Sequence, residues 1–186
     1  MAENTKVAPR ITPDRDSRYM GEAWFKASFS KDPSTQVGAV IVGPDNKPFG
    51  SGYNGPSDAI DDNSFSWERP PKDDPDAFSK YDVTRHAERN AIKYCRGADL
   101  AGSTIYVTAL PCPSCMYEIL DQRISRVVYY DFQSNSNSSL QNSVWREKSM
   151  KIASMSRIPV RVEQFAGNLH WMSDWIKRLG DLQIFG

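Results

Sequence analysis

Apolar and aromatic positions first recur at helical spacing after Arg15, where Tyr19, Met20, Ala23, Trp24 and Ala27 share one face. Trp24 and its neighbour Phe25 read as core packing. The run Ser30-Lys31-Asp32-Pro33-Ser34-Thr35 breaks that helix with turn chemistry. Residues 37–42 are then almost continuously apolar, as a buried strand would be. Gly43-Pro44-Asp45-Asn46 is a turn, so residues 47–53 should return as a second, antiparallel strand. It runs into Gly52-Tyr53-Asn54-Gly55, whose glycines suit tight backbone geometry or the close approach of a ligand.

Residues 56–82 are acidic, contain proline and keep no period. So long a connection is uncommon in a compact domain. Phe65, Trp67, Phe78 and Tyr81 give it enough aromatic surface to dock, so an ordered excursion with short elements is expected. A helical pattern beginning at His86 stops at Gly97. Residues 104–108 form a strand that leads directly into a helix carrying Cys112 and Cys115. Residues 126–130 form the next strand, and the helix between the two has the length of a crossover. Ser134 to Ser139 is a Ser/Asn linker, and residues 140–155 have helical character. Residues 158–162 alternate as an edge strand would, which also suits Pro159. A last helix covers residues 168–179. The sum is an α/β fold: a three-layer α/β/α sandwich around a mixed five-stranded sheet. Residues 1–14 form a loose arm, and residues 15–186 form a single domain with an insertion at about 56–82.

Composition narrows the function. Lys and Arg number 23 and so do Asp and Glu, which argues against a basic nucleic-acid-binding face. A small anionic substrate remains compatible with this balance. Three cysteines make no disulfide framework. No run approaches membrane-spanning length and the N-terminus has no signal-peptide core, so a cytoplasmic protein with no membrane partner is expected.

The chemistry concentrates between Arg85 and Cys115. His86-Ala87-Glu88 precedes Pro111-Cys112-Pro113-Ser114-Cys115. One imidazole and two thiols are three ligands, the number a catalytic zinc site takes from protein while keeping one position open. Two cysteines three apart at a helix start place both sulfurs on one face. The partial positive charge at that end favours the thiolate form that binds metal. Pro111 and Pro113 suit a helix entrance, where a missing N–H costs little. Beside a metal-activated water, Glu88 can relay protons, first to a ring nitrogen and then to leaving ammonia. A lone Cys-x-x-Cys would read as redox or structural metal, but a closed structural site wants four ligands. Cys95 and His170 lie in no second paired motif. One zinc per chain is expected, with Cys95 as a buried apolar residue.

His-x-Glu followed by Pro-Cys-x-x-Cys is the pattern of zinc deaminases acting on cytosine or adenine rings. With Ser30-Lys31-Asp32-Pro33, Val37-Gly38-Ala39, Gly52-Tyr53-Asn54-Gly55 and Asn90-Ala91-Ile92 in order, the chain resembles the deoxycytidylate deaminases of the cytidine deaminase superfamily. The resemblance runs from about Tyr19 to about Phe132. It implies hydrolytic deamination of dCMP to dUMP, feeding thymidylate synthesis. His86, Cys112 and Cys115 would be ligands and Glu88 the proton shuttle. Lys31, Ser34 and Thr35 would lie near the 5′-phosphate, Asn54 would meet the deoxyribose, Ala87 would line the substrate site and Phe132 would stack on the base. It also implies a homo-oligomer, commonly a hexamer, activated by dCTP and inhibited by dTTP. Asp58, Asp61 and Asp62 could hold a hydrated Mg²⁺ that bridges to such an effector. Some viral relatives bind a second zinc through His and Cys before the catalytic helix; residues 56–85 contain neither.

Rival readings are a deaminase of modified deoxycytidylate, dCTP or free cytidine, a tRNA adenosine deaminase, and a non-enzymatic binding module. Charge balance opposes the RNA enzyme. A binding module would be expected to have lost Glu88 or a ligand.

Overall fold

Apolar on consecutive residues, the segment β1 (Gly38–Val42) is buried throughout and stands inside a sheet. It pairs antiparallel with β2 (Pro48–Tyr53) on one side and with β3 (Thr104–Val107) on the other. β4 (Arg126–Tyr129) and β5 (Arg161–Gln164) continue the sheet in parallel, giving the order β2-β1-β3-β4-β5. The computed structural model that carries these elements describes residues 12–74, 76–131 and 139–181. Strand alternation sorts the core into two layers. Ala39, Ile41, Ile105, Val107, Val127 and Tyr129 face one cluster, while Val40, Val42, Tyr106 and Val128 face the other.

The second cluster lies under α1 (Arg15–Ala27), which contributes Tyr19, Met20 and Ala23. Asp14, read from sequence as part of the arm, is the N-cap of this helix and accepts from the Ser17 N–H at 2.9 Å. Asp16 in the first turn accepts hydrogen bonds from Arg126 at 2.8 and 2.6 Å and from the Tyr106 hydroxyl at 2.7 Å, which pins the helix to β3 and β4. α6 (His170–Asp181) meets α1 at Gly21, where an added Cβ would fall 2.6 Å from the Trp171 ring. The first cluster lies under α3 (Ala87–Tyr94), α4 (Pro113–Asp121) and α5 (Ser139–Ser154), through residues such as Ala91, Met116, Ile119 and Ala153. Helices on both faces of a mixed sheet are the three-layer sandwich that the pattern implies. No helix among the described residues is long and apolar enough to cross a membrane.

Two details differ from the sequence reading. Phe25 is 61 % exposed rather than core, because the stripe through Tyr19, Met20 and Ala23 already fills the inward face. Its ring instead meets Phe29 edge-on, with centroids 5.2 Å apart. The edge strand begins at Arg161, not at 158. Proline at 159 has no N–H to give, and the first strand residue, Arg161, donates its own to Ser125 at 3.0 Å. As expected of an excursion with short elements, the described residues of 56–82 form turns and bends until α2 (Lys80–Val83), which opens on a reciprocal capping box between Ser79 and Asp82. Residues 1–11 of the arm and 134–138 of the linker lie outside the described residues.

α3 rests on β2 with almost nothing between them. A Cβ added to Gly52 would stand 2.4 Å from the Ala91 nitrogen and 2.6 Å from the Ala87 carbonyl oxygen. Gly52→Ala must therefore lift α3 off the sheet. We expect it to cost about 1–3 kcal/mol of stability, read as a lower urea midpoint at an unchanged slope. A midpoint equal to that of the parent would contradict the packing described.

Candidate metal centre and active site

Two helices start at one point. His86 is the N-cap of α3 and Cys112 the N-cap of α4, and neither side chain caps its own helix, so both are free to turn toward each other. The His86 Nδ1 lies 3.4 Å from the Cys112 Sγ and 3.3 Å from the Cys115 Sγ. Among the described residues these three are the one group of His, Cys or carboxylate side chains whose ligand atoms converge, all within 4.8 Å of one another.

The geometry suits zinc. Bonds of about 2.0–2.1 Å to nitrogen and about 2.3 Å to sulfur at tetrahedral angles put N and S about 3.5 Å apart. The two separations fall just inside that value, and nitrogen with two sulfurs is a donor set zinc prefers. Cys95, the remaining thiol, is turned away: it caps the end of α3, its Sγ lies 3.2 Å from the Ala91 carbonyl oxygen, and burial pushes its pKa up to about 11. That is the buried apolar role expected of it.

Protonation of the cluster follows from its contacts. The Cys115 thiol and then His86 stabilise a thiolate on Cys112, holding it at about 4 against the cost of its burial. Cys115 is kept as the thiol by the hydrogen bond it donates to the Cys112 thiolate and by burial. His86 is raised to about 8 by its contact with Cys112, against its own burial. A metal arriving here therefore displaces protons, and its binding should tighten as pH rises. Glu88, two residues past the imidazole, is 4 % exposed. Burial raises its pKa, opposed by the charge on His86. A carboxyl whose proton affinity is raised in this way suits a group that takes and returns a proton.

The residues expected to contact substrate differ in how firmly they are held. Lys31 is exposed and forms an ion pair with Asp62 of the acidic segment. Ser34 is bonded to Asp32 and to Lys80. Thr35 donates its N–H to Asp32 at 3.1 Å, and its carbonyl accepts from the Asn54 Nδ2 at 2.8 Å. The other end of the Asn54 amide accepts from the Val37 N–H at 2.7 Å. Ala87 is fully buried, so its backbone N–H at the first turn of α3 is what it has left to offer a ligand. Phe132 lies outside the described residues. Asp58, Asp61 and Asp62 join no three-ligand group; Asp61 accepts from Asn63. Lys80 had drawn no attention in the sequence. The one local hint was the Ser79-x-x-Asp82 capping pattern, which places a short helix there but not the burial of its lysine.

Residues 13–131 match the family model described as the cytidine and deoxycytidylate deaminase zinc-binding region. Deoxycytidylate deaminases of Mus musculus and Homo sapiens are 40 % and 38 % identical over 111 residues. Each of these matches covers 60 % of this chain and 61 % of the relative, so the chain spans about three fifths of those proteins. The deoxycytidylate deaminase of Mycobacterium phage D29 is 38 % identical over 122 residues, 63 % of this chain and 94 % of that one. Among solved structures, the dCMP deaminase of cyanophage S-TIM5, in complex with dCMP and dUMP, superposes with a TM-score of 0.61 at 20 % identity. That match covers 84 % of this chain and all of the phage chain, and it bears on the fold.

His86→Ala should abolish tight zinc binding, since two sulfurs alone hold the metal poorly. Metal content after gel filtration measures this. Retention of one zinc per chain by the folded variant would remove His86 from the ligand set.

Proposed function

Since the chain belongs to the cytidine and deoxycytidylate deaminase zinc-binding family, we propose that it deaminates dCMP hydrolytically, with water, to dUMP and ammonia. The observation that carries this reading is a buried carboxylate, Glu88, set beside a converged nitrogen and two sulfurs. His86, Cys112 and Cys115 hold one zinc ion per chain. When bound, zinc supplies the acidity that makes a water reactive at neutral pH. Glu88 takes a proton from the attacking water and delivers it to the ring nitrogen. It then carries the proton of the hydroxyl added to the ring carbon to the amino group as the C–N bond breaks, so ammonia leaves and a carbonyl remains. The packed surroundings of Glu88 exclude bulk water and raise its proton affinity, which keeps it useful in both directions. Supply of dUMP for thymidylate synthesis is consistent with this activity.

Rates on dCMP, 5-methyl-dCMP, dCTP and cytidine test the substrate. We expect dCMP to be turned over fastest; a clear preference for another member of the panel would overturn the dCMP reading. Glu88→Gln should keep its zinc and lose about 10²–10⁴-fold in kcat, since an amide of the same shape relays no proton. Near-normal turnover at full zinc would remove Glu88 from its role.

Feedback by dCTP and dTTP belongs to the same reading, supported by the long acidic segment that follows Gly55. A hydrated Mg²⁺ at Asp58, Asp61 and Asp62 would compete with Lys31 for Asp62. Effectors act only by binding two conformations with different affinities. Initial rates against dCMP with Mg²⁺ should be sigmoidal, become hyperbolic with dCTP and fall with dTTP. Hyperbolic curves that neither nucleotide alters would eliminate this regulation.

A further inference from the structure

A lysine that is 1 % exposed is costly to bury, and apolar side chains could fill the same space at lower cost. Lys80 is such a residue. Its Nζ donates to both carboxylate oxygens of Asp32, at 2.8 and 2.9 Å, and to the Ser34 hydroxyl. Asp32 is itself 3 % exposed and accepts from the Ser34 and Thr35 N–H groups at 2.9 and 3.1 Å. Burial works against the Asp32 carboxylate, but the ammonium and the turn's donors overcome it and hold the carboxyl below its usual range.

These contacts close a ring. From Asp32 the turn reaches Thr35, whose carbonyl holds the Asn54 Nδ2. The backbone of Asn54 is fixed as well, since Ser30 Oγ donates to its carbonyl at 2.8 Å. Next to it, Gly55 exchanges two backbone hydrogen bonds with Arg85, at 2.9 and 3.1 Å. Arg85 precedes His86, and five residues before Arg85 stands Lys80 again, in the same segment. The ring thus starts and ends on the stretch of chain that delivers the imidazole.

We propose that Lys80 is a positioning residue for the reaction: with Asp32 it sets the turn 32–35 and the Asn54 amide at a fixed place relative to His86. This rests on the deaminase reading above. Each group in the ring is polar and directional, so an apolar residue at 80 would fill space without fixing the turn. The resemblance expects Asn54 and the turn to meet the deoxyribose and the 5′-phosphate, so loss of Lys80 acts on binding before it acts on chemistry.

Two zinc-loaded variants test this, Lys80→Met and Lys80→Met/Asp32→Asn. The second leaves no unpaired buried charge and folds where the first fails to. We expect zinc content equal to the parent, KM for dCMP raised about tenfold or more and kcat altered less than about threefold. Amide exchange, which needs no substrate, should quicken at Ser34, Thr35 and Val37 while Val40 and Ile105 stay protected. A KM within twofold of the parent, even with faster exchange, makes the pair merely structural and overturns the proposal. If the parent chain is inactive on dCMP, the deaminase reading fails by itself. Unchanged protection at 34, 35 and 37 overturns the positioning role whether or not the parent is active.

Discussion

Three ligand atoms from two places in the sequence have to meet within a metal's reach, and most of the architecture serves that meeting. The His86 nitrogen and the two sulfurs converge because α3 and α4 begin side by side. α4 can begin there because β3 ends there, inside the sheet and paired with β1 and β4. α3 can begin there because it lies directly on β2, at a distance that Gly50 and Gly52 alone permit: a Cβ on Gly50 would stand 2.7 Å from the Cys95 sulfur. The position of a metal-binding nitrogen is therefore set by missing side chains on a strand.

The same place carries the costliest burials among the described residues. Glu88, Asp32 and Lys80 are all nearly inaccessible. Asp32 and Lys80 compensate each other and bond to the turn between them, so their burial yields rigidity. Glu88 has no cation bonded to it in this way, and its raised proton affinity is the consequence. One buried carboxylate is a fastener and the other keeps a raised proton affinity; the difference lies in whether a lysine was brought to it.

The groups expected to meet substrate show what that rigidity does. Asn54 has one end of its amide on Val37 and the other on Thr35, so its remaining lone pair and hydrogen point in fixed directions. Ser34 is held between Asp32 and Lys80. Lys31, by contrast, stands on the surface and pairs with Asp62 across solvent, where such a pair contributes little. Of the residues expected to meet substrate, Ser34 and Asn54 are thus held in place and Lys31 is left exchangeable.

Much of this was legible along the chain because its causes are local. Periodicity marked α1 and the strands, proline and thiol spacing marked the start of α4, and His86, Glu88, Cys112 and Cys115 stood in a pattern with chemical meaning by itself. What stayed hidden depends on partners far apart in sequence. Phe25 has the hydrophobicity of a core residue, and only the occupancy of the inward face by its neighbours leaves it in solvent. Lys80 and Asp32 look like two ordinary surface charges, 48 residues apart. No local propensity says that a lysine will be buried; that is decided when α2 and the turn after α1 are folded against each other and each charge, with the donors and hydroxyl of the turn, replaces water for the other.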